Sequence, residues 1–323
     1  MPIGLGIASS HGSPAFLQSA EQWENYYSKV LQNAPVAPEA AAETTEVLDG
    51  WVGRIQNGFD TLKQQLEDYG AELLIIVGGD QTEMFDLSHV PNLMMFIGDS
   101  AWGYNTPVGA IAPRGVKQEY NEADLVRFKV DRETSEFLLN KLVTEEGFDV
   151  SFSTEQQNLA KEGMGLPHAF HRPTPKIMPG LEIPTVIIYE NTYSPPAIRA
   201  DRCYEFGKTL ARLLKDDPRK IAIYGSGGLS HAFWPATGWV DEEMDRWVLD
   251  QFSNSDGSAT TALYGFDGKN MRGGTGEIRS WITVAGAMSE AGAKATVVDY
   301  LPAAHAIHGI AFAYWKAKVA AAV

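Results

Sequence analysis

Six short apolar runs, rich in β-branched residues and closed by glycine or another small residue, constrain this chain more than any other feature. They are PIGLGIA (2–8), LLIIV (73–77), LMMFIG (93–98), PTVIIY (184–189), KIAIYG (220–225) and KATVVDY (294–300), and each reads as a buried strand. Long amphipathic stretches separate them. Helices are expected at 15–31, 43–69, 123–144, 197–215, 242–252, 277–290 and 304–317, some beginning beside a Ser, Thr or Asp able to cap them. Strands alternating with helices predict an α/β fold with one sheet between helical layers. The length of 323 residues admits one large domain or two smaller ones.

Charged residues make up 21% and hydrophobic ones 44%, and no run reaches the roughly 18 uninterrupted apolar residues of a membrane helix. The opening MPIGLGIASSH has no basic segment ahead of its apolar stretch, so no secretory signal is read and a cytoplasmic location is expected. The lone Cys203 excludes an internal disulfide and any cysteine-built zinc or iron-sulfur site, leaving His, Asp, Glu and amides for metal chemistry. A formal charge of -15, with no basic tract, repels phosphate backbones, so the expected partner is a small molecule and not nucleic acid.

Three stretches share one design, an apolar strand that ends in small residues and then presents polar groups. IASSH leads to His11, IIVGGDQTE to Asp80, Gln81 and Glu83, and IAIYGSGGLSH to His231. Strand ends of this kind line a common crevice in open α/β sheets. The glycines of GSGG (225–228) and GGTGE (273–277) also admit a phosphate-loop reading, although neither fits G-x-x-x-x-G-K-[ST]. Ser10 and Ser230 stand beside histidines, but no G-x-S-x-G elbow accompanies them. His305 and His308 are spaced i, i+3 on an expected helix and would share one face. The stretch 163–184, GMGLPHAFHRPTPKIMPGLEIP, reads as a long irregular loop of the sort that carries function, or as a short helix between turns.

Taken in order, SSHGSP, GGDQTEMFD, PHAFHRP, IIYENTYSPP, YGSGGLSHAF and GEIRSWITVAGAM resemble the class III extradiol ring-cleavage dioxygenases, whose familiar member is the catalytic subunit of protocatechuate 4,5-dioxygenase. The similarity spans nearly the whole chain, so residues 1–323 are expected to form a single catalytic α/β domain. The resemblance implies a three-layer sandwich with a central mixed sheet flanked by helices, and non-haem Fe(II) held by two histidines and a glutamate with positions open for a catechol and for O2.

Residue by residue, His11 matches the first metal ligand and Glu277 the carboxylate. The family's N-D-H-x-x-x-F pattern is written here as Gly79-Asp80-Gln81-Thr82-Glu83-Met84-Phe85, so Gln81 stands where the second metal-binding histidine belongs. An amide oxygen is a weaker donor than imidazole, and Glu83 is the nearby carboxylate able to supplement it. Two carboxylates and one histidine would admit Mn(II) or Mg(II), and Zn(II), beside Fe(II), which remains the first expectation. His231 matches the acid/base histidine and His168 a second histidine lining the pocket, while Arg172 and His171 are candidates for substrate binding. Trp102, Phe170 and Trp234 are candidate pocket aromatics.

The implied reaction is cleavage of a catechol-like aromatic by O2 in a homo-oligomeric enzyme. The alternatives are a repurposed metal-dependent hydrolase, decarboxylase or lyase on the same fold, or a catalytically silent partner subunit.

Overall fold

The computed structural model describes residues 3–30, 37–106, 119–156, 164–231, 240–265, 271 and 273–317. Ten strands are defined among them: β1 (Ile3–Ser9), β2 (Leu73–Gly78), β3 (Leu93–Phe96), β4 (Ser100–Tyr104), β5 (Leu125–Lys129), β6 (Ser151–Ser153), β7 (Thr185–Glu190), β8 (Ile221–Ser226), β9 (Ala295–Ala303) and β10 (His308–Lys316). Eight α-helices accompany them: α1 (Ala20–Val30), α2 (Thr45–Tyr69), α3 (Arg132–Thr144), α4 (His168–His171), α5 (Thr174–Ile177), α6 (Ala200–Leu213), α7 (Glu242–Asn254) and α8 (Ile278–Ser289).

Eight strands form one mixed sheet in the order β6-β3-β7-β2-β8-β1-β10-β9, with β7, β2, β8 and β1 parallel at its centre. Central strands are buried on both faces, which explains their unbroken apolar runs. Alternate residues of β2 serve opposite layers. Leu73, Ile75 and Val77 join a core with Phe206 and Leu210 of α6 and Trp281 and Val284 of α8. Leu74 and Ile76 join another with Ile55, Phe59 and Leu62 of α2. The three-layer mixed sandwich implied by the resemblance is thus the observed one.

Three helix boundaries differ from expectation. The stretch 123–144 divides into β5 and α3, because LVRFK alternates its burial with period two and pairs with β4 in a small separate sheet. The stretch 304–317 is strand β10 and not a helix. Its run of small and aromatic residues fits both periods, and pairing with β1 and β9 decides between them. His305 and His308 therefore do not share a helix face. Finally, α1 begins at Ala20, where the Asp49 carboxylate accepts the Ala20 N–H at 2.8 Å, after a separate 3-10 turn at Ser13–Phe16.

The site is positioned by register. Ser9 at the end of β1 pairs with Ser226 at the end of β8, and Gly78 of β2 pairs with the same Ser226. The three polar stretches identified in the sequence accordingly leave the sheet side by side.

Candidate active site

His11, Gln81, His231 and Glu277 converge at these strand ends. His11, His231 and Glu277 are each no more than 2% exposed. Oε2 of Glu277 lies 3.2 Å from His11 Nε2 and 3.5 Å from His231 Nε2, and its Oε1 accepts the side-chain N–H of Gln81 at 2.6 Å.

The tautomers follow from the opposite edge of each ring. Ser226 donates its hydroxyl to the Ala169 carbonyl at 2.5 Å, so its oxygen is left to accept from His11 Nδ1, 3.0 Å away. His231 Nδ1 faces the Leu229 carbonyl at 2.9 Å, and a carbonyl only accepts. Both rings thus carry their proton on Nδ1 and turn a bare Nε2 toward a carboxylate. Neither Nε2 has a hydrogen-bond partner.

Burial pushes the Glu277 carboxyl up, but attraction to His11 and His231 in their protonated forms, which prevail at the low pH where a carboxyl titrates, together with the Gln81 donation, outweighs it and holds the group well below the usual carboxylate range, so it is already ionised when both rings are neutral. Burial lowers His231, against the pull of Glu277, which keeps the ring neutral. Two lone pairs facing an ionised carboxylate at this range are relieved by a cation between them, and histidine ligands characteristically donate their other N–H to a fixed acceptor as these two do.

The donors therefore fit a divalent ion at His11 and Glu277, with the Gln81 amide as the third group. Oxygen and nitrogen of an amide are interchangeable by rotation about its last bond. Among the described residues no three His, Cys, Asp or Glu side chains group as a metal cage.

Glu83 is placed elsewhere. Its Oε2 accepts from the His168 backbone N–H at 2.9 Å and from His168 Nδ1 at 2.7 Å, and the His168 ring meets the His11 ring edge-on, centroids 4.8 Å apart. Burial lowers His168 against the opposing pull of Glu83, and it lowers His171 much further, with Arg172 adding to the effect. Neither ring nitrogen of His171 has a partner. Arg172 is 6% exposed, donates to Ser13 Oγ at 3.1 Å and leaves its Nε unpaired.

Of the candidate aromatics, Phe170 packs in the core beneath α2 and Trp102 lies partly exposed on β4, while Trp234 falls outside the described residues. Ser10 donates to the Gly228 carbonyl and Ser230 to Asp245, so neither hydroxyl is held by an imidazole. Gly227 and Thr275 spend their N–H groups on the Ser9 and His231 carbonyls, which removes much of the phosphate-cradle character of the two glycine stretches.

Sequence reasoning missed His308. It bridges to His231 across the strands, stacks on its ring with centroids 4.1 Å apart, and keeps an unpartnered buried Nε2. Only its assignment to a strand reveals this neighbour. Two glycines make room for the pair: a Cβ at Gly274 would stand 1.9 Å from His231 Nε2, and one at Gly12 would stand 2.2 Å from His308 Cε1.

Comparison with known proteins bears directly on this site. A family model described as the catalytic LigB subunit of aromatic ring-opening dioxygenase matches residues 57–311. The chain belongs to this family. His11 precedes the matched stretch, and the other site residues lie within it.

Among curated relatives, a 2,3-dihydroxyphenylpropionate/2,3-dihydroxicinnamic acid 1,2-dioxygenase of Photorhabdus laumondii subsp. laumondii is 25% identical over 197 residues, 60% of this chain and 54% of that protein. A second, from Dechloromonas aromatica, is 25% identical over 183 residues, 56% of this chain and 49% of that one. The chain spans about half the length of these curated relatives. An uncharacterized Escherichia coli K12 protein of known crystal structure is 13% identical, with 96% of this chain and 99% of that one aligned at a TM-score of 0.49, too slight a likeness to carry an argument. Among the described residues no helix is long and apolar enough to cross a membrane.

Proposed function

We propose that this protein is a metal-dependent ring-cleavage dioxygenase acting on a catechol-like aromatic acid, with residues 1–323 working as one catalytic unit. The observation that carries the reading is the pair of bare Nε2 atoms facing one ionised carboxylate, together with membership of a ring-opening dioxygenase family. His11, Glu277 and the Gln81 amide would hold the ion, with Fe(II) the first candidate and Mn(II) or Zn(II) next. Bound there, Fe(II) would supply the redox link between the aromatic diol and O2.

The chain's own residues supply the rest. His231, neutral and bare at Nε2, takes a proton from a substrate hydroxyl and returns it later. His168 is held by Glu83 in one orientation and lines the pocket beside His11. Arg172, a buried guanidinium that donates to Ser13 Oγ and whose Nε has no acceptor among the described residues, offers its fork to a substrate carboxylate, with His171 alongside. Burial lowers the Arg172 guanidinium against the pull of Glu83, and an anionic ligand would favour its charged form further.

One observation favours a second reading. An amide stands at position 81 beside Glu277 in place of the imidazole the resemblance implies, which suits an acid/base site that has turned to hydrolysis, decarboxylation or carbon–carbon lysis without O2.

Anaerobic titration with Fe(II), then oxygen uptake on a panel of catechols with and without a carboxylate, separates the two. Stoichiometric binding with oxygen uptake is expected. Tight iron binding with no uptake across the panel would sink the dioxygenase reading.

A further inference from the structure

We infer that Asp245, remote from the substrate, is a positioning residue that sets the tautomer of His231 through the Leu229–Ser230 peptide plane. Asp245 sits in the first turn of α7 and is fully buried. It accepts three hydrogen bonds at 2.8 Å, from Ser230 N–H, from the Ser230 hydroxyl and from the Tyr300 hydroxyl of β9.

The first of these is the decisive one. The Ser230 N–H and the Leu229 carbonyl belong to one planar peptide unit, so fixing the direction of the N–H fixes the direction of the C=O. That carbonyl meets His231 Nδ1 at 2.9 Å. Asp245 therefore aims the acceptor that holds the ring proton on Nδ1, and by doing so keeps Nε2 bare toward Glu277.

The surroundings are built to the same end. Leu229 N–H donates to the Gly309 carbonyl at 2.9 Å and Gly309 N–H to the Ser230 carbonyl at 2.8 Å, which clamps the loop to β10. Gly309 also makes room for the carboxylate, since a Cβ there would lie 2.1 Å from Asp245 Oδ2. Asp241, the residue that caps α7, donates its own N–H to Ser230 Oγ at 2.9 Å.

The test is nitrogen-15 NMR of the histidine rings on the full chain, freed of paramagnetic ions by chelation, with the His231 signals assigned by their loss in His231→Gln. Wild type should show one protonated Nδ1 and one bare Nε2. Asp245→Ala should average the two shifts toward a tautomer mixture, and Asp245→Asn, which keeps an acceptor for the Ser230 N–H, should restore most of the wild-type pattern. Where Asp245→Ala fails to fold by circular dichroism, Gly309→Ala displaces the carboxylate and reads the same quantity. A folded Asp245→Ala or Gly309→Ala variant with unchanged His231 shifts would overturn the inference.

Its catalytic consequence rests on the role proposed for His231. Oxygen uptake with 3,4-dihydroxybenzoate should lose roughly tenfold in kcat, with KM little changed, in Asp245→Ala, a part of what a positioned acid/base supplies. Should His231→Ala prove as active as wild type, the acid/base role proposed for His231 fails while the ring spectra still decide the part played by Asp245.

Discussion

Two loops deliver side chains to Glu277, and both hang on a buried aspartate that accepts three hydrogen bonds. In the loop after β2, Asp80 takes the N–H groups of Glu83, Met84 and Phe85, all within five residues of itself. In the loop after β8, the donors to Asp245 come from Ser230 and Tyr300, which belong to distant parts of the chain. The aspartate anchor of the first loop is local, while its Glu83 and Gln81 reach out to His168 and Glu277, and the anchor of the second is tied to α7, β9 and β10. The departure from the pattern the resemblance implies, Gln81, falls in this locally anchored loop. His231 sits where three elements agree on its place. Burial raises both anchors, Asp80 to about 6 and Asp245 to about 7, against the lowering effect of the donors each has gathered.

The largest effect expected from breaking this contrast is at His231. His231→Ala should cost roughly a hundred- to ten-thousandfold in turnover, the range for a positioned acid/base, while thermal unfolding and ion binding stay close to wild type. Oxygen uptake together with a melting curve measures both. A rate within threefold of wild type would mean that the loop after β8 is rigid for reasons of folding alone.

Glu190, at the end of β7, belongs to neither loop and tests how much of the site's behaviour is burial alone. It is fully buried, accepts from Thr283, leaves Oε2 unpaired, and is pushed up to about 8 by burial, with the Thr283 bond and Arg279 opposing. The folded state therefore holds a proton that the unfolded chain, with an ordinary glutamate pKa near 4.5, gives up earlier. The stability contributed by this proton is fully present below the unfolded value and is lost as pH rises through about 8. Between pH 5 and pH 8 wild type should lose on the order of 3 kcal/mol on this account, and Glu190→Gln should flatten that part of the profile. Melting temperatures of the two proteins at the two pH values decide it; parallel curves would mean that Glu190 is ionised in the fold.

How much of this was legible in the sequence follows the same division between local and distant. The unbroken β-branched runs marked six strands because burial on both faces writes itself into consecutive residues. β10 was read as a helix because alanines and aromatics satisfy either period, and His308 was misplaced with it. His11, His231 and Glu277 stood out through short motifs. The peptide plane that fixes His231 did not, since it joins Leu229, Asp245 and Gly309, whose nearness only the folded sheet creates. Glu83 was legible as a carboxylate near the site, but its partner, His168, lies 85 positions away.

The smallest and sharpest change places the histidine the resemblance implies in the loop after β2. Gln81→His would replace an amide that donates to Glu277 with an imidazole able to turn a lone pair toward the same point, and Asp80 would still hold the backbone around it. Fe(II) affinity in an anaerobic titration should rise by about tenfold, equivalent to about 1.4 kcal/mol, with no change in thermal stability in the absence of metal. Because the loop after β8 does not contact residue 81 through any of the hydrogen bonds described, the His231 ring signals of the metal-free variant should match wild type. An affinity gain without a change at His231 would show that the two loops act on the ion independently. A gain accompanied by a shifted His231 tautomer would show that Glu277, which faces both, couples them.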